Sequence, residues 1–215
     1  MTDRNVADYI AALLAAPKLA RQVTCHKVLE ERPAAFAECA RPWPKAIRGV
    51  LHEAGIPSLY SHQARAADLI RAGRDVVVTT PTASGKTLIY NLPVLERYLQ
   101  DRDARGLYLF PLKALAQDQR AAFERLTAHW PRDARPRAAL YDGDTSDHFR
   151  RKVRDDPPTV LITNPEMLHL GILPHHERWT TFLASLAFVV LDGAHTYPGV
   201  PGAHMAQLLR RLDRV

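Results

Sequence analysis

The chain has 215 residues, of which 47% are hydrophobic and 24% are charged, ordinary values for a soluble globular protein. No apolar run approaches the roughly 20 residues that a membrane span needs, which excludes a transmembrane protein. The net charge of +6 suits a polyanionic partner, although a GC-rich genome would explain the excess of 23 arginines over 6 lysines equally well. Cys25 and Cys39 lack metal-ligand spacing and imply neither a zinc site nor a disulfide framework. We therefore expect a cytoplasmic protein with free thiols and no membrane partner.

The chain is predicted to consist of a short extension and one larger domain. Residues 1–16 have the pattern of an amphipathic helix rather than of a signal peptide. Residues 17–44 contain four prolines and are predicted to be irregular. We therefore predict a helical and irregular N-terminal extension over residues 1–44 and a main domain over residues 45–215.

Short apolar runs alternate with helical patterns through the main domain. The predicted strands span residues 75–80, 106–110, 137–141, 159–163 and 187–192. The predicted helices span residues 45–54, 61–72, 85–100, 113–129, 147–154, 164–171, 179–185 and 202–214. Alternating strands and helices, with strands that are continuously apolar, predict an α/β fold whose parallel sheet is covered on both faces.

The segment TTPTASGKT, at residues 79–87, has the pattern of a P-loop between a buried strand and a helix. In a P-loop, backbone N–H groups hold phosphates at the start of the helix. Lys86 is predicted to reach the β- and γ-phosphates of ATP, and the Thr87 hydroxyl to bind Mg²⁺. The sequence departs from the common pattern at Thr80, where glycine is usual. The predicted phosphate-binding residues are Thr82, Ala83, Ser84, Gly85, Lys86 and Thr87.

A second segment, FVVLDGAH at residues 188–195, is an apolar strand that ends in an aspartate. This is the Walker-B pattern, in which Asp192 would hold Mg²⁺ through water at the carboxyl end of the strand. The alternative is an ordinary aspartate that caps a strand end. The P-loop upstream favours the Mg²⁺ interpretation.

Further segments extend the pattern beyond these two motifs. They are LYSHQARA (59–66), FPLKALAQDQ (110–119), YDGDT (141–145) and TNPEMLH (163–169). Together with the P-loop, the sequence resembles the superfamily-2 DEAD/DEAH-type helicases, in particular the bacterial mitomycin-repair helicases and their fungal RecQ-related relatives. The resemblance covers about residues 25–215. It implies a RecA-like three-layer lobe, use of ATP and Mg²⁺, 3′-to-5′ translocation on single-stranded DNA and a role in DNA repair.

The resemblance also assigns roles to single residues. Gln63 would read the adenine edge, whereas Tyr60 would either stack on the base or pack against the following helix. Lys113, Thr163 and Asn164 would contact the DNA backbone. The local chemistry supports these DNA contacts, because each residue lies where a predicted strand is followed by a helix. Hydrogen-bond donors at such a junction are available to a phosphate.

Two departures from the helicase pattern bear on activity. Gly193 replaces the glutamate that polarises the attacking water in the family motif Asp-Glu-x-His. His195, which would couple the nucleotide state to a second lobe, is retained. The chain ends at Val215, shortly after this motif, so we expect an incomplete sheet, no second lobe and no arginine fingers.

These departures leave two hypotheses for the chain. The first is the ATP-binding lobe of a DNA helicase, with Lys86, Asp192 and His195 as its remaining catalytic residues. The second is a remnant that binds nucleotide and nucleic acid but does not hydrolyse ATP. A small-molecule P-loop kinase has little support, because the other helicase-like segments would have no role. The sequence does not set the oligomeric state.

Overall fold

The N-terminal part of the chain is a small helical unit. The computed structural model describes residues 5–28, 33–81 and 84–215, and it divides into two units, Met1–Ala34 and Ala35–Val215. The first unit contains α1 (Val6–Ala15) and α2 (Pro17–Ala20). The Asn5 side chain accepts from the Asp8 amide at 2.9 Å, which caps the start of α1. The predicted N-terminal helix is confirmed over its described part.

The second unit begins earlier than the predicted domain boundary at residue 45. Strand β1 (Phe36–Ala37) pairs in antiparallel fashion with β2 (Leu59–Tyr60). The guanidinium of Arg71 donates to the carbonyl oxygen of Arg41 and lies 4.2 Å from the ring centroid of the buried Trp43. Residues 35–44 therefore belong to the main unit through a strand pair and a cation–π contact.

The central sheet is parallel throughout. It contains β3 (Arg105–Leu109), β4 (Ala138–Leu140), β5 (Val160–Thr163) and β6 (Leu186–Leu191), in the spatial order β4-β5-β3-β6. Leu109 of β3 lies beside Thr163 of β5 and Leu191 of β6. The carboxyl ends of three strands therefore meet at one edge of the sheet, where α/β folds bind their ligands.

Helices connect these strands and cover the sheet. They are α3 (Lys45–Glu53), α4 (Ser61–Arg71), α5 (Lys86–Gln100), α6 (Lys113–Leu126), α7 (Asp147–Asp155), α8 (Pro165–Met167), α9 (Thr180–Ala184) and α10 (Val200–Leu212). The predicted helix over residues 164–171 is shorter, because α8 passes into a π-helical turn at Leu168–Ile172. No helix of the described ranges is both long and apolar enough to cross a bilayer.

The core consists of two apolar clusters, one on each face of the sheet. Tyr108 and Ile162 contribute to the cluster that contains residues of α3, α4, α5 and α6. Leu107 and Leu161 contribute to the cluster that contains residues of α7, α9 and α10. Successive side chains of a strand point to opposite faces, so both faces of β3 and β5 are buried. The predicted three-layer α/β architecture is confirmed.

The predicted strand over residues 75–80 is wrong. These residues carry no strand pairing, and the Val77 side chain is 87% exposed. In the described sheet, β6 pairs only with β3 and is therefore an edge strand. Its Val189 is 44% exposed. A segment becomes a β-strand only when a neighbouring strand bonds its backbone N–H and C=O groups. None of the described strands pairs with residues 75–80.

Candidate nucleotide and nucleic-acid site

The predicted P-loop leads directly into α5. Gly85 has a φ of +74°, in the left-handed region, and Lys86 is the first residue of the helix. The left-handed turn favours glycine here, and a Cβ atom at position 85 would displace the side-chain amide nitrogen of Gln63. The predicted contacts Thr82 and Ala83 lie outside the described residues.

Lys86 folds back over the loop that precedes it. Its Nζ donates to the carbonyl oxygen of Thr80 at 3.0 Å and to that of Pro81 at 2.8 Å. The hydroxyl oxygens of Thr80 and Ser84 lie 2.7 Å apart, within hydrogen-bond distance of each other. The ammonium group therefore lies within the loop that would hold phosphates, where the carbonyl contacts can be exchanged for phosphate oxygens.

Gln63 braces the P-loop in this structure. Its Nε2 donates to the Gly85 carbonyl at 2.9 Å, and its Oε1 accepts from the Tyr60 amide at 2.9 Å. The residue is only 2% exposed. Because protein groups bond both ends of the amide, Gln63 would have to give up these contacts before it could read an adenine edge.

An aromatic surface lies beside the loop, and it adds Phe36 and His62 to Tyr60, the stacking candidate that the sequence predicts. The Phe36 and Tyr60 rings stack with centroids 5.2 Å apart, and those of Tyr60 and His62 stack at 5.7 Å. His62 Nε2 lies 3.0 Å from the carbonyl oxygen of Ser84 in the P-loop. Phe36 is 57% exposed, so the stack offers a flat apolar surface next to the loop. Phe36 was hard to foresee because it precedes the motif by many residues.

The two predicted Mg²⁺ ligands lie in one polar cluster. Thr87 Oγ1 donates to Gln119 Oε1 at 3.3 Å, and the Tyr90 hydroxyl donates to the same oxygen at 3.1 Å. The Tyr90 hydroxyl also lies 3.4 Å from Asp192 Oδ2. Burial, and then the nearby Asp192 carboxylate, raises the pKa of Tyr90 well above its usual range, so its hydroxyl remains a donor.

The residues present fit a bound Mg²⁺ ion. Thr87 and Asp192 offer a hydroxyl and a carboxylate, the oxygen ligands that Mg²⁺ prefers. Within the described ranges, no group of three or more His, Cys, Asp or Glu side chains could hold a metal by itself. Mg²⁺ would therefore take its remaining ligands from nucleotide phosphates and water, as is usual for this ion.

Position 193 has a backbone conformation that favours glycine. Gly193 has a φ of +70°, and a Cβ atom there would lie 3.2 Å from Pro111 Cγ. Its carbonyl accepts from the Thr196 amide at 2.8 Å, which closes the 3₁₀ turn Ala194–Thr196. His195 lies in this turn and is exposed. The turn therefore presents an imidazole but no carboxylate next to Asp192.

Lys113 lies where the sequence predicted, at the first position of α6, and its side chain is exposed. Its Nζ lies 2.6 Å from Asp144 Oδ2, an ion pair to the loop between β4 and α7. The hydrogen bond that Lys113 donates to Asp144 raises the pKa of Lys113 above its ordinary value. The lysine therefore keeps its charge, but a phosphate would compete with Asp144 for it.

Thr163, which the sequence predicts to contact DNA, does not expose its side chain. Thr163 is 2% exposed, and its hydroxyl donates to the Tyr141 carbonyl at 2.5 Å. Asn164 is partly exposed, and its side-chain oxygen accepts from the Met167 amide at 2.8 Å as the N-cap of α8. The three predicted DNA contacts do share one shallow depression at the carboxyl edge of the sheet, lined by Phe110, Leu112, Lys113, Ala116, Leu140, Asp142, Ile162, Thr163 and Asn164.

A P-loop at the start of a helix and an aspartate at the end of a parallel strand define a P-loop nucleotide-binding domain of the RecA-like type. The sequence also matches the family model for the DEAD/DEAH box helicase over residues 60–215. The chain belongs to the DEAD/DEAH box helicase family.

Individual relatives show the same relationship. The ATP-dependent helicase YprA of Bacillus subtilis (strain 168) is 46% identical over 179 residues, which cover 81% of this chain and 24% of the relative. The ATP-dependent helicase HRQ1 of Saccharomyces cerevisiae is 41% identical over 177 residues, or 82% of this chain and 16% of the relative. The chain therefore spans a quarter or less of the length of these curated relatives.

A solved helicase structure has the same fold. The crystal structure of the DUF1998 helicase MrfA bound to DNA and AMPPNP superposes with a TM-score of 0.81 and 45% sequence identity. The match covers 86% of this chain and 26% of that chain. The predicted branch of the helicases is confirmed.

Proposed function

We propose that this chain is the ATP-binding first lobe of an ATP-dependent DNA helicase that acts in DNA repair. The cluster formed by Thr87, Tyr90, Gln119 and Asp192 carries the proposal, because it joins the P-loop helix to the Walker-B aspartate. Lys86 would bind the β- and γ-phosphates, and Thr87 and Asp192 would hold Mg²⁺, which neutralises charge on the phosphates when it is bound.

The nucleobase would lie against the aromatic surface formed by Phe36, Tyr60 and His62. This surface adjoins the P-loop through the contact between His62 and the Ser84 carbonyl. Stacking on aromatic rings tolerates any base, because every base has a π-face. Gln63 would add selectivity for adenine only after exchanging its bonds to Tyr60 and Gly85.

Single-stranded DNA would cross the carboxyl edge of the sheet. Lys113 offers a charge and a helix N-terminus to a phosphate, and Asn164 adds a partly exposed amide group. The crystal structure of MrfA bound to DNA and AMPPNP supports this assignment, because the MrfA chain contains a closely similar lobe. Strand movement needs a second lobe to open and close against this one.

Calorimetry of ADP binding with Mg²⁺ tests the nucleotide site. Lys86→Ala should weaken binding by roughly 10- to 100-fold, the loss expected for hydrogen bonds from a charged group. Lys45→Ala is the matched control, because Lys45 is also the first residue of a helix but follows no phosphate loop. Equal ADP affinity in the wild type and Lys86→Ala would overturn the proposal.

A second candidate function is favoured by Gly193. A lobe that binds Mg²⁺ and ATP without a general base would lose roughly 10²- to 10⁴-fold in hydrolysis rate, while ground-state binding could persist. Such a chain would be a nucleotide-dependent DNA-binding module rather than a motor. Steady-state ATP hydrolysis with and without single-stranded DNA, measured on this lobe joined to a second lobe, separates the two, since only the helicase lobe predicts DNA-stimulated turnover.

A further inference from the structure

Tyr90 lies at the meeting point of three segments that no sequence motif connects. It lies three residues after Thr87 on α5, a spacing that places both side chains on one face of the helix. Its hydroxyl contacts Gln119 of α6 at 3.1 Å and Asp192, directly after β6, at 3.4 Å. One hydroxyl therefore links the P-loop helix, α6 and the end of β6.

Packing alone does not account for this hydroxyl. The Tyr90 ring meets the Tyr108 ring edge-on, with centroids 5.1 Å apart and planes at 79°, and phenylalanine would preserve that contact. Tyr108 bonds elsewhere, because its own hydroxyl donates to Asn91 Oδ1 at 2.9 Å. The Tyr90 hydroxyl is therefore directed to the polar cluster rather than to the aromatic core.

The hydrogen bonds orient both proposed Mg²⁺ ligands. A hydroxyl has one proton and two lone pairs. Because Thr87 donates its proton to Gln119, its lone pairs remain available for a cation. Tyr90 contacts Asp192 through Oδ2, which leaves Oδ1 for the cation or its water.

We propose that Tyr90 is a positioning residue for the Mg²⁺ site. Its one hydroxyl proton is shared between Gln119 Oε1 at 3.1 Å and Asp192 Oδ2 at 3.4 Å, a three-centre hydrogen bond. This bond orients the Asp192 carboxylate and fixes the oxygen of Gln119 to which Thr87 also donates. Groups that orient metal ligands typically change metal affinity by about 10- to 100-fold when they are removed. This inference rests on the proposed function.

The test is a Mg²⁺ titration of ADP binding to the full chain, followed by calorimetry or by a fluorescent ADP analogue. Tyr90→Phe should raise the Mg²⁺ concentration at the midpoint by about tenfold. ADP affinity in EDTA should stay within about twofold of wild type, since P-loop contacts are unchanged. Tyr98→Phe is the matched control on the same helix, because its hydroxyl bonds the Ala134 carbonyl at 3.3 Å, in a different loop.

A second variant, Gln119→Leu, removes the shared acceptor and should shift the Mg²⁺ midpoint in the same direction. In an Asp192→Asn background, Tyr90→Phe should add little, because the carboxylate that it positions has gone. The inference is wrong if Asp192→Asn shifts the midpoint while Tyr90→Phe and Gln119→Leu do not. It is also wrong if Tyr90→Phe weakens ADP binding equally with Mg²⁺ and in EDTA, since that result indicates a structural role only.

The same titration separates this inference from the proposed function. A wild-type chain that binds no ADP under either condition overturns the proposed function, and this inference with it. A Mg²⁺ midpoint that is the same in the wild type and Asp192→Asn removes the aspartate from the metal site and overturns the inference that Tyr90 positions it as a ligand.

Discussion

Introducing glutamate at position 193 tests the catalytic and the conformational arguments together. Gly193→Glu supplies the carboxylate that the helicase pattern has at this position. Gly193, however, has a φ of +70° and lies close to the Pro111 ring. The variant therefore gains a potential general base and strains the turn that would hold it.

The expected cost follows from two contacts. A non-glycine residue in the left-handed region costs about 1–2 kcal/mol. The new Cβ atom would lie 3.2 Å from Pro111 Cγ, a distance that a shift of a few tenths of an ångström relieves. We expect a loss of about 1–3 kcal/mol in unfolding free energy, the usual range for one strained residue. For a domain of this size, each kcal/mol lowers Tm by roughly 2–4 °C.

In thermal melting, two alanine variants separate the cost of the backbone conformation from the cost of the contact with Pro111. Gly193→Ala carries the same Cβ atom as the glutamate but no carboxylate, so it should melt at nearly the same temperature as Gly193→Glu. Gly55→Ala provides the backbone cost alone, because Gly55 has a φ of +68° and nothing within 4 Å of the new Cβ position. The difference between the two alanine variants measures the contact with Pro111.

The ATPase assay then compares the glutamate and alanine variants with the wild type, each with and without single-stranded DNA. Expressed as these 215 residues, Gly193→Glu should change turnover little, because the arginine of a facing lobe contributes about 10³- to 10⁵-fold in related enzymes. A DNA-stimulated rise of about 100-fold in Gly193→Glu would refute this reasoning. A Gly193→Ala variant that melts at or above the wild-type temperature would refute the conformational argument, since alanine stabilises only where φ is compatible.

Two further variants address the ion pairs. Asp144→Asn frees Lys113 and should strengthen single-stranded DNA binding by roughly two- to fivefold at low salt, the range for an exposed pair, as measured by fluorescence anisotropy; unchanged or weaker binding would contradict this. Glu96→Gln breaks a buried pair with Arg71, whose Nε lies 2.8 Å from Oε2 with both side chains at most 6% exposed. It should cost about 3–5 kcal/mol by chemical denaturation, whereas Asp101→Asn, in an exposed pair on the same helix, should cost less than about 1 kcal/mol.

The sequence predicted most of the fold because most of it depends on local patterns. The alternation of apolar runs and helical patterns located β3 to β6 within one or two residues, and the parallel sheet followed from their order. The segment over residues 75–80 failed for a non-local reason. Its three valines favour a strand, but a strand also needs a partner for its backbone groups, and β6 is an edge of the described sheet.

The site divides in the same way between local and long-range information. Gly85 and Lys86 could be placed because the P-loop pattern fixes them relative to the start of α5. Thr163 could be placed at the end of its strand, but the pattern did not show that its hydroxyl turns inward to Tyr141. The contact between Tyr90 and Asp192 joins residues 102 positions apart, so no spacing in the sequence could predict it.

The groups that would meet the ligands are already bonded within the protein. Lys86 donates to loop carbonyls, Thr87 to Gln119, and Lys113 to Asp144. Ligand affinity is therefore the difference between the new contacts and those that they replace. Where the protein partner only competes with the ligand, as Asp144 does at Lys113, substituting the ligand-facing residue should weaken ligand binding. Substituting the partner should strengthen it. At Thr87, the partner Gln119 accepts the hydroxyl proton and leaves the oxygen lone pairs free for Mg²⁺. Substituting either Thr87 or Gln119 should therefore weaken Mg²⁺ binding.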